Sequence, residues 1–287
     1  MLYKTYDPEV LKKIQSVELG ILKDFTDLCE KHDIDYFAGG GVAIGVLRHG
    51  GFIPWDDDID IGLTRENYEK FLRVAAQEYG DKYKIINAET TKNYPLMTTR
   101  WALRGSRFKE ECFKDLEVDN GIFLDLYCYD HIADCEWKMR VQGRSAWFYG
   151  KLLVLRYVKR PTLYVDGILG HVAGAACTIL HYMMAILHIS TEFLYRKAKR
   201  AAMKYQGSKT GRVAYFFDPT PYTSLMKVSD IVPTKFYDFE GIAVRFPRNL
   251  EAYLERRYGD YMTMPPEEKR HNHPPYLLKF PGDQVEK

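Results

Sequence analysis

The 287-residue sequence predicts an α/β (α+β) protein on three observations. Helix-period and strand-like apolar segments alternate along the chain instead of separating into two halves. Glycine and proline punctuate them at Gly39-Gly40-Gly41, Gly50-Gly51 and Pro54. Hydrophobic residues make up 46%, enough for a sizeable core and against disorder.

The elements follow in order. Asp7 reads as an N-cap with Pro8 in the first turn. Val10, Leu11, Ile14, Val17, Ile21, Leu22, Phe25 and Leu28 then recur at helical spacing, so a helix runs to about Lys31. Residues 34–38 form a strand halted by three glycines, and 42–48 a two-turn helix ended by Gly50-Gly51. Phe52 to Trp55 is extended, because Pro54 turns its predecessor away from helix. Asp58-Ile59-Asp60-Ile61 alternates polar and apolar. It reads as a strand with Asp58 and Asp60 on one face, Asp57 pointing the other way and Asp56 at the loop edge, bonded to an amide or water. Thr64 caps a helix from Arg65 to about Tyr79. Further strands are predicted at 83–88, 98–103, 121–127, 211–217 and 241–246, and helices at 134–158 and 249–258. Asp125 sits inside the apolar strand 121–127, out of place for a simple core. The proline-rich end around 264–275 reads as an ordered wrap or a partly flexible end.

Residues 167–189 contain no Asp, Glu, Lys or Arg. On a helical wheel His171, Gly174, Cys177, Thr178, His181 and His188 fall on one side, and Ile168, Val172, Ile179, Met183 and Ile186 on the other. Basic residues flank the segment, Lys151, Arg156, Lys159 and Arg160 before it and Arg196, Lys197, Lys199 and Arg200 after it. A helix packed on the core is the first reading, a helix lying in a membrane interface the second, and a true span the third.

Composition narrows the function. A net charge of +2 argues against a dedicated nucleic-acid binder, which carries a marked basic excess. Five scattered cysteines form no disulfide framework and fit a reducing compartment. Cys128, His131 and Cys135 resemble part of a zinc site but lack an evident fourth ligand, so ordinary thiols are preferred. The N-terminus does not follow the signal-peptide pattern, and a cytoplasmic location is expected, with peripheral contact at the inner face of a membrane if 167–189 is interfacial.

Four carboxylates in the five residues from Asp56 to Asp60 repel one another unless a cation compensates. Hard oxygen ligands on one strand face suit Mg2+ or Mn2+, which also bind substrate phosphate. Asp125 is the candidate third carboxylate, as metal ligand or proton acceptor. Gly40 and Gly41 open a helix whose amides face an anion, and Arg48 and Arg100 are candidate phosphate partners. An EF-hand loop starting at Asp56 fails, because Ile61 stands where glycine is needed and Asn67 where glutamate is. A DxD sugar-nucleotide transferase uses similar carboxylates but gives no reason for glycines about 18 residues upstream.

Gly40-Gly41 through Leu47-Arg48-His49, then Gly51-Phe52-Ile53-Pro54-Trp55-Asp56-Asp57-Asp58-Ile59-Asp60, resemble the LicD family of phosphotransferases, within the nucleotidyltransferase-fold superfamily. Gly121 to Asp125 and Tyr258-Gly259-Asp260-Tyr261 add to the likeness, which spans roughly 8–130 and 230–275. The resemblance implies a nucleotidyltransferase-like small mixed sheet flanked by helices. It implies metal, Mg2+ or Mn2+, held by Asp58, Asp60 and Asp125, the catalytic carboxylates. It also implies transfer of a substituted phosphate from a CDP-activated donor to a sugar hydroxyl of a glycan or lipid-linked glycan, with CMP released. Phosphocholine from CDP-choline is the first expectation, onto a teichoic acid or lipopolysaccharide glycan. Ribitol or glycerol phosphate is the alternative, and a non-catalytic glycan- or partner-binding scaffold the second. For choline, Trp55 and Trp101 are candidate ring faces. Three parts are expected, a catalytic core over 1–133, a helical insertion over 134–210 and a C-terminal part over 211–287 that completes the core.

Overall fold

The computed structural model describes residues 6–118, 120–159, 161 and 167–283. Arg160 and the Ile168 side chain lie outside that set, as do residues 1–5 and 284–287. In chain order the elements are α1 (Pro8–Lys31), β1 (Phe37–Ala38), α2 (Gly40–Arg48), β2 (Asp60–Thr64), α3 (Arg65–Glu78), β3 (Tyr83–Ile86), β4 (Thr99–Leu103), β5 (Arg107–Glu110) and β6 (Phe123–His131). Then come α4 (Glu136–Tyr157), α5 (Gly167–Ile186), α6 (Thr191–Ala202), β7 (Arg212–Tyr215), β8 (Ser224–Lys227), α7 (Val228–Ile231), β9 (Lys235–Phe239), β10 (Ile242–Phe246), α8 (Leu250–Tyr258) and β11 (Pro275–Lys279).

The mixed sheet is built around β6. Strands run in the order β1-β2-β6-β4-β3, and β7 and β8 extend from the far end of β6. β2 is parallel to β6, a pairing that needs a long crossover and has one in residues 65–122. β4 lies antiparallel on the other side of β6. Both register lines meet at one residue, since Asp125 is the Cα partner of Asp60 on β2 and of Arg100 on β4.

Packing explains the frame. α1 buries Leu11, Ile14, Ile21, Leu22, Phe25 and Leu28. Each such side chain contributes about 1.5–3 kcal/mol by leaving water. Trp101 of β4 is enclosed by the rings of Phe25, Phe71, Tyr79 and Tyr83. At the start of α3, Arg65 donates two hydrogen bonds to Asp130, at 2.9 and 2.8 Å, in a buried clamp between helix and strand.

Several expectations are corrected. β2 starts at Asp60, so Asp58 precedes the ladder, although Ile59 still accepts from the Asp125 amide at 3.0 Å. Thr64 makes no capping bond to the helix; its hydroxyl accepts from Nδ2 of the Asn67 side chain instead. β5, β8, β9, β11, α6 and the one-turn α7 are additional elements. The proline-rich end is ordered, with β11 antiparallel to β5. Cys128, His131 and Cys135 go separate ways: Cys128 is buried, Cys135 exposed, and His131 Nδ1 meets the Thr210 hydroxyl at 2.9 Å.

α5 is the largest departure. Only 6% of the window Leu169–Ile186 is buried, so this helix is not packed into the core. By length and composition it could cross a membrane.

Candidate active site

The parallel register sets Asp60 and Asp125 abreast on adjacent strands, with Asp58 in the extended lead-in two residues before Asp60. The glycines make room for them. A Cβ on Gly40 would stand 1.8 Å from Asp60 Oδ2, and one on Gly41 2.0 Å from Asp56 Oδ2. Gly40 also has φ +56°, a left-handed conformation that costs a side chain about 1–3 kcal/mol. The start of α2 is thus glycine because carboxylates crowd against it. Its Gly40 amide donates to the Tyr253 hydroxyl at 3.3 Å, which corrects the expectation that it is open to an anion. Gly40→Ala is expected to destabilise the protein by about 1–3 kcal/mol and to displace Asp60, so thermal melting and transfer activity should both fall.

The electrostatics are those of a crowded anionic site. Burial, then Asp58 and Asp125, push Asp60 up to about 8. Burial, offset by Arg100 and aided by Glu110 and Asp58, brings Asp125 to about 6. Asp56 is driven well above the ordinary carboxylate range by burial, Asp58, Asp57 and Asp60. Asp58 goes the other way: burial would raise it, but His273 and Arg100 hold it down.

Arg100 is not a free phosphate partner. It is buried, donating from Nε to Asp125 Oδ1 at 3.1 Å and from Nη1 to Glu110 Oε2 at 2.8 Å. Its guanidinium also lies over the Phe123 ring. It is a positioning residue for Asp125. Arg48 is tied to the C-terminal part through the carbonyls of Tyr261 and Thr263, at 2.8 and 3.5 Å. Trp101 is sealed in the aromatic core, and the Trp55 ring is covered by Arg270 at 4.2 Å. Neither tryptophan offers an open ring face. Tyr127 lies beside the carboxylates, its phenol pushed up by burial, Asp60 and Asp125, and its ring meets Tyr215 edge-on.

Three further residues join the site. Glu18 of α1 is buried, and burial together with Asp58, Asp57, Asp56 and Asp125 raises its carboxyl well above the usual range. It breaks the apolar stripe of α1 between Ile14 and Ile21, the one sequence signal that marks it. His273 arrives from the C-terminal segment. Its amide donates to Asp57, at 2.9 and 2.8 Å to the two oxygens, and Nδ1 stands 3.3 Å from Asp58 Oδ2, near enough for an ion pair though not aligned for a hydrogen bond. Burial disfavours the imidazolium, but Asp57 and Asp58 outweigh it and push His273 well above its ordinary value. Tyr6 donates its hydroxyl to Asp57. Asp57 is therefore spent on Tyr6 and His273.

Which residues could hold a cation follows from the oxygens left over. Among the described residues, Glu18 Oε2, Asp56 Oδ2 and Asp60 Oδ1 are buried without hydrogen-bond partners. Buried carboxylate oxygens without partners, on groups that repel one another, are what a hard divalent ion would relieve. The donor set fits Mg2+ or Mn2+. A second grouping competes for Asp58, since ligand atoms of Asp57, Asp58 and His273 lie within 4.8 Å of one another. Asp57 already accepts from Tyr6 and the His273 amide there, whereas among the described residues the ligand atoms of Asp58, Asp60 and Asp125 do not all gather within that distance. A cleft of about 440 Å3 lined by Lys23, Tyr36, Phe236 and Arg245 shares no residue with this cluster.

Residues 33–153 match the family described as LicD/FKTN/FKRP, nucleotidyltransferase domain. Across 285 residues the chain is 28% identical to lipopolysaccharide cholinephosphotransferase LicD of Haemophilus influenzae, spanning 92% of this chain and 95% of that protein. Residues 33–153 resemble the LicD-family domain, and the chain as a whole resembles one named LicD protein. Shorter matches reach an uncharacterized protein of Rickettsia typhi, 39% identical over 65 residues (23% of this chain, 21% of that protein), and one of Rickettsia prowazekii, 43% over 47 residues (16% and 18%). The LicD domain match takes in Gly40, Asp58, Asp60, Arg100 and Asp125. Glu18, Tyr253 and His273 lie outside it, so residues on both sides of the matched segment complete the site.

Proposed function

We propose that this chain transfers phosphocholine from CDP-choline to a hydroxyl of a cell-surface glycan or its lipid-linked precursor, with Mg2+ or Mn2+ at the carboxylate cluster and release of CMP. The observation that carries the proposal is similarity over nearly the whole length to a protein named as a cholinephosphotransferase. The buried oxygens around Asp58 and Asp60 support it as a place where a cation and a phosphate would meet. The five free cysteines fit a cytoplasmic setting.

In this scheme Asp58 and Asp60 hold the cation, with Asp125 abreast of Asp60. A bound divalent ion supplies charge neutralisation for the transferring phosphate. The acceptor oxygen forms a bond to the distal phosphorus of the donor, the phosphoanhydride bond breaks, and CMP takes its electron pair. The acceptor proton passes to Asp125, which burial holds near 6 and which therefore takes up a proton more readily than an exposed carboxylate. Arg100 fixes Asp125 in place. The ring of Tyr127, half-buried beside Asp60 and Asp125, rather than the two tryptophans, is the aromatic face for a trimethylammonium group.

A donor screen tests this. CMP release is measured with CDP-choline, CDP-ribitol and CDP-glycerol, each in Mg2+ and in EDTA. Metal-dependent release with CDP-choline is expected to exceed the other two by about tenfold or more, the scale set by a cation–π contact of 1–2 kcal/mol. Preference for ribitol or glycerol would keep the chemistry and change the donor. No release with any donor would overturn the proposal.

A further inference from the structure

The part of the molecule that the transfer chemistry leaves unused is the α4–α6 insertion, and α5 in particular leaves a stripe of large apolar side chains exposed. The side that meets the protein is mixed, Thr178 and His181 beside Cys177, Leu180 and the buried Met184, while His171 and His188 are exposed. His181 Nδ1 donates to the Leu155 carbonyl at 2.8 Å, and Cys177, Leu180 and Met184 pack against Leu153 and Leu155 at the end of α4. Its apolar side faces outward. Leu169, Val172, Ile179, Met183 and Ile186 are all exposed, Ile186 by 73%, and they recur at helical spacing along one stripe. Water is a poor solvent for such a stripe, and contiguous apolar surface on a monomer marks an interaction site.

Charge identifies the occupant. Residues 136–204 carry twelve Lys and Arg against three Asp and Glu, whereas the whole chain has 41 against 39. The insertion is therefore strongly basic and the remainder of the chain net acidic. Two copies of this face brought together would oppose like charge with like. An anionic bilayer would accept both features at once, the apolar stripe below the headgroups and the cations among them. The two are adjacent in space, since the Lys159 ammonium lies 4.8 Å from the Tyr182 ring at the edge of the α5 surface. A transmembrane α5 would have to abandon its contacts with α4, whose Arg156 also donates to the Ile189 carbonyl at 3.2 Å just past the helix.

We propose that the α4–α6 insertion is a membrane-docking element that seats α5 in the headgroup region of an anionic lipid bilayer, parallel to its plane. The site carboxylates play no part in this, so it stands or falls independently of the donor chemistry.

Flotation of the full-length chain with lipid vesicles tests the proposal. Vesicles of phosphatidylcholine with phosphatidylglycerol should recover about tenfold more protein than pure phosphatidylcholine, and about 0.5 M salt should remove most of that gain. The double variant Ile179→Glu/Met183→Glu, placed on exposed positions, should lose recovery on anionic vesicles. It should retain wild-type circular dichroism and wild-type CMP release with soluble acceptor. Equal flotation of variant and wild type would overturn the proposal. So would a wild-type dimer in vesicle-free sedimentation that the variant abolishes, because the stripe then belongs to a second copy. Wild-type protein that resists alkaline carbonate extraction from cell membranes would overturn it in favour of a span.

Discussion

Asp60→Asn is expected to reduce transfer by about a thousandfold while leaving the metal-free protein at least as stable as the wild type. Most buried substitutions at an active centre weaken the fold, and this one is expected not to, for an electrostatic reason. Asp60 is buried beside Asp58 and Asp125, and its carboxyl is pushed from 3.8 to about 8 by burial and those neighbours. The folded protein therefore binds a proton at Asp60 that the unfolded chain releases near pH 4. The contribution of Asp60 to stability in EDTA should be fully present below that pH and be lost as the pH rises through about 8. The asparagine variant removes this contribution, so its melting temperature should vary less over the same range. Saturating Mg2+ should raise the wild-type midpoint by several degrees, on the order of 2–3 kcal/mol of binding linkage, and should leave the variant nearly unmoved. Thermal melts in EDTA and in Mg2+, beside a CMP-release assay, check all of these outcomes. Residual activity near wild type would remove Asp60 from the chemistry.

Arg100→Met separates a positioning role from a phosphate-binding one. Arg100 holds two carboxylates in the interior, Asp125 on β6 and Glu110 on β5. Its loss leaves both without their cation, and breaking a buried ion pair from one side costs about 3–5 kcal/mol. The expected result is a large drop in the melting midpoint together with loss of kcat. Arg100→Lys should recover part of the stability and less of the activity, because an ammonium does not reproduce the two-sided guanidinium contact. The damage should also reach the C-terminal segment, since β5 pairs with β11 just beyond His273. If Arg100→Met melted like the wild type and raised only the KM for donor, the residue would be a substrate contact after all.

The local part of the site is legible in the sequence. The string from Gly39 to Asp60 carries its own meaning, because glycines beside crowded aspartates call for close approach and a cation. Asp125 is legible for a similar reason, as a charge inside an apolar strand. The parallel register that places it next to Asp60 is a tertiary fact, and so is Arg100's position across from it. A buried arginine between two carboxylates looks, in sequence, like any arginine on a strand. His273 stands in a His-Asn-His-Pro-Pro run with no periodicity, so only the pairing of β11 with β5 shows where it goes. Trp101 shows the reverse error: an aromatic near site residues in sequence is directed into the core by strand alternation. For α5 the wheel separates a polar side from an apolar one but does not say which side meets the protein. Packing onto Leu153 and Leu155 decides that, and it exposes the apolar side.

Direct binding of Mn2+, followed by electron paramagnetic resonance in wild type and single variants, tests the central claim. Two sets of residues compete for Asp58: Asp60 with Asp125, and Asp57 with His273. The expected result is one site in the wild type, weakened by at least about tenfold in Asp58→Asn, Asp60→Asn and Asp125→Asn and retained in His273→Ala. Binding that survives Asp60→Asn and Asp125→Asn but disappears in His273→Ala would contradict it and move the cation to the Asp57–Asp58–His273 side.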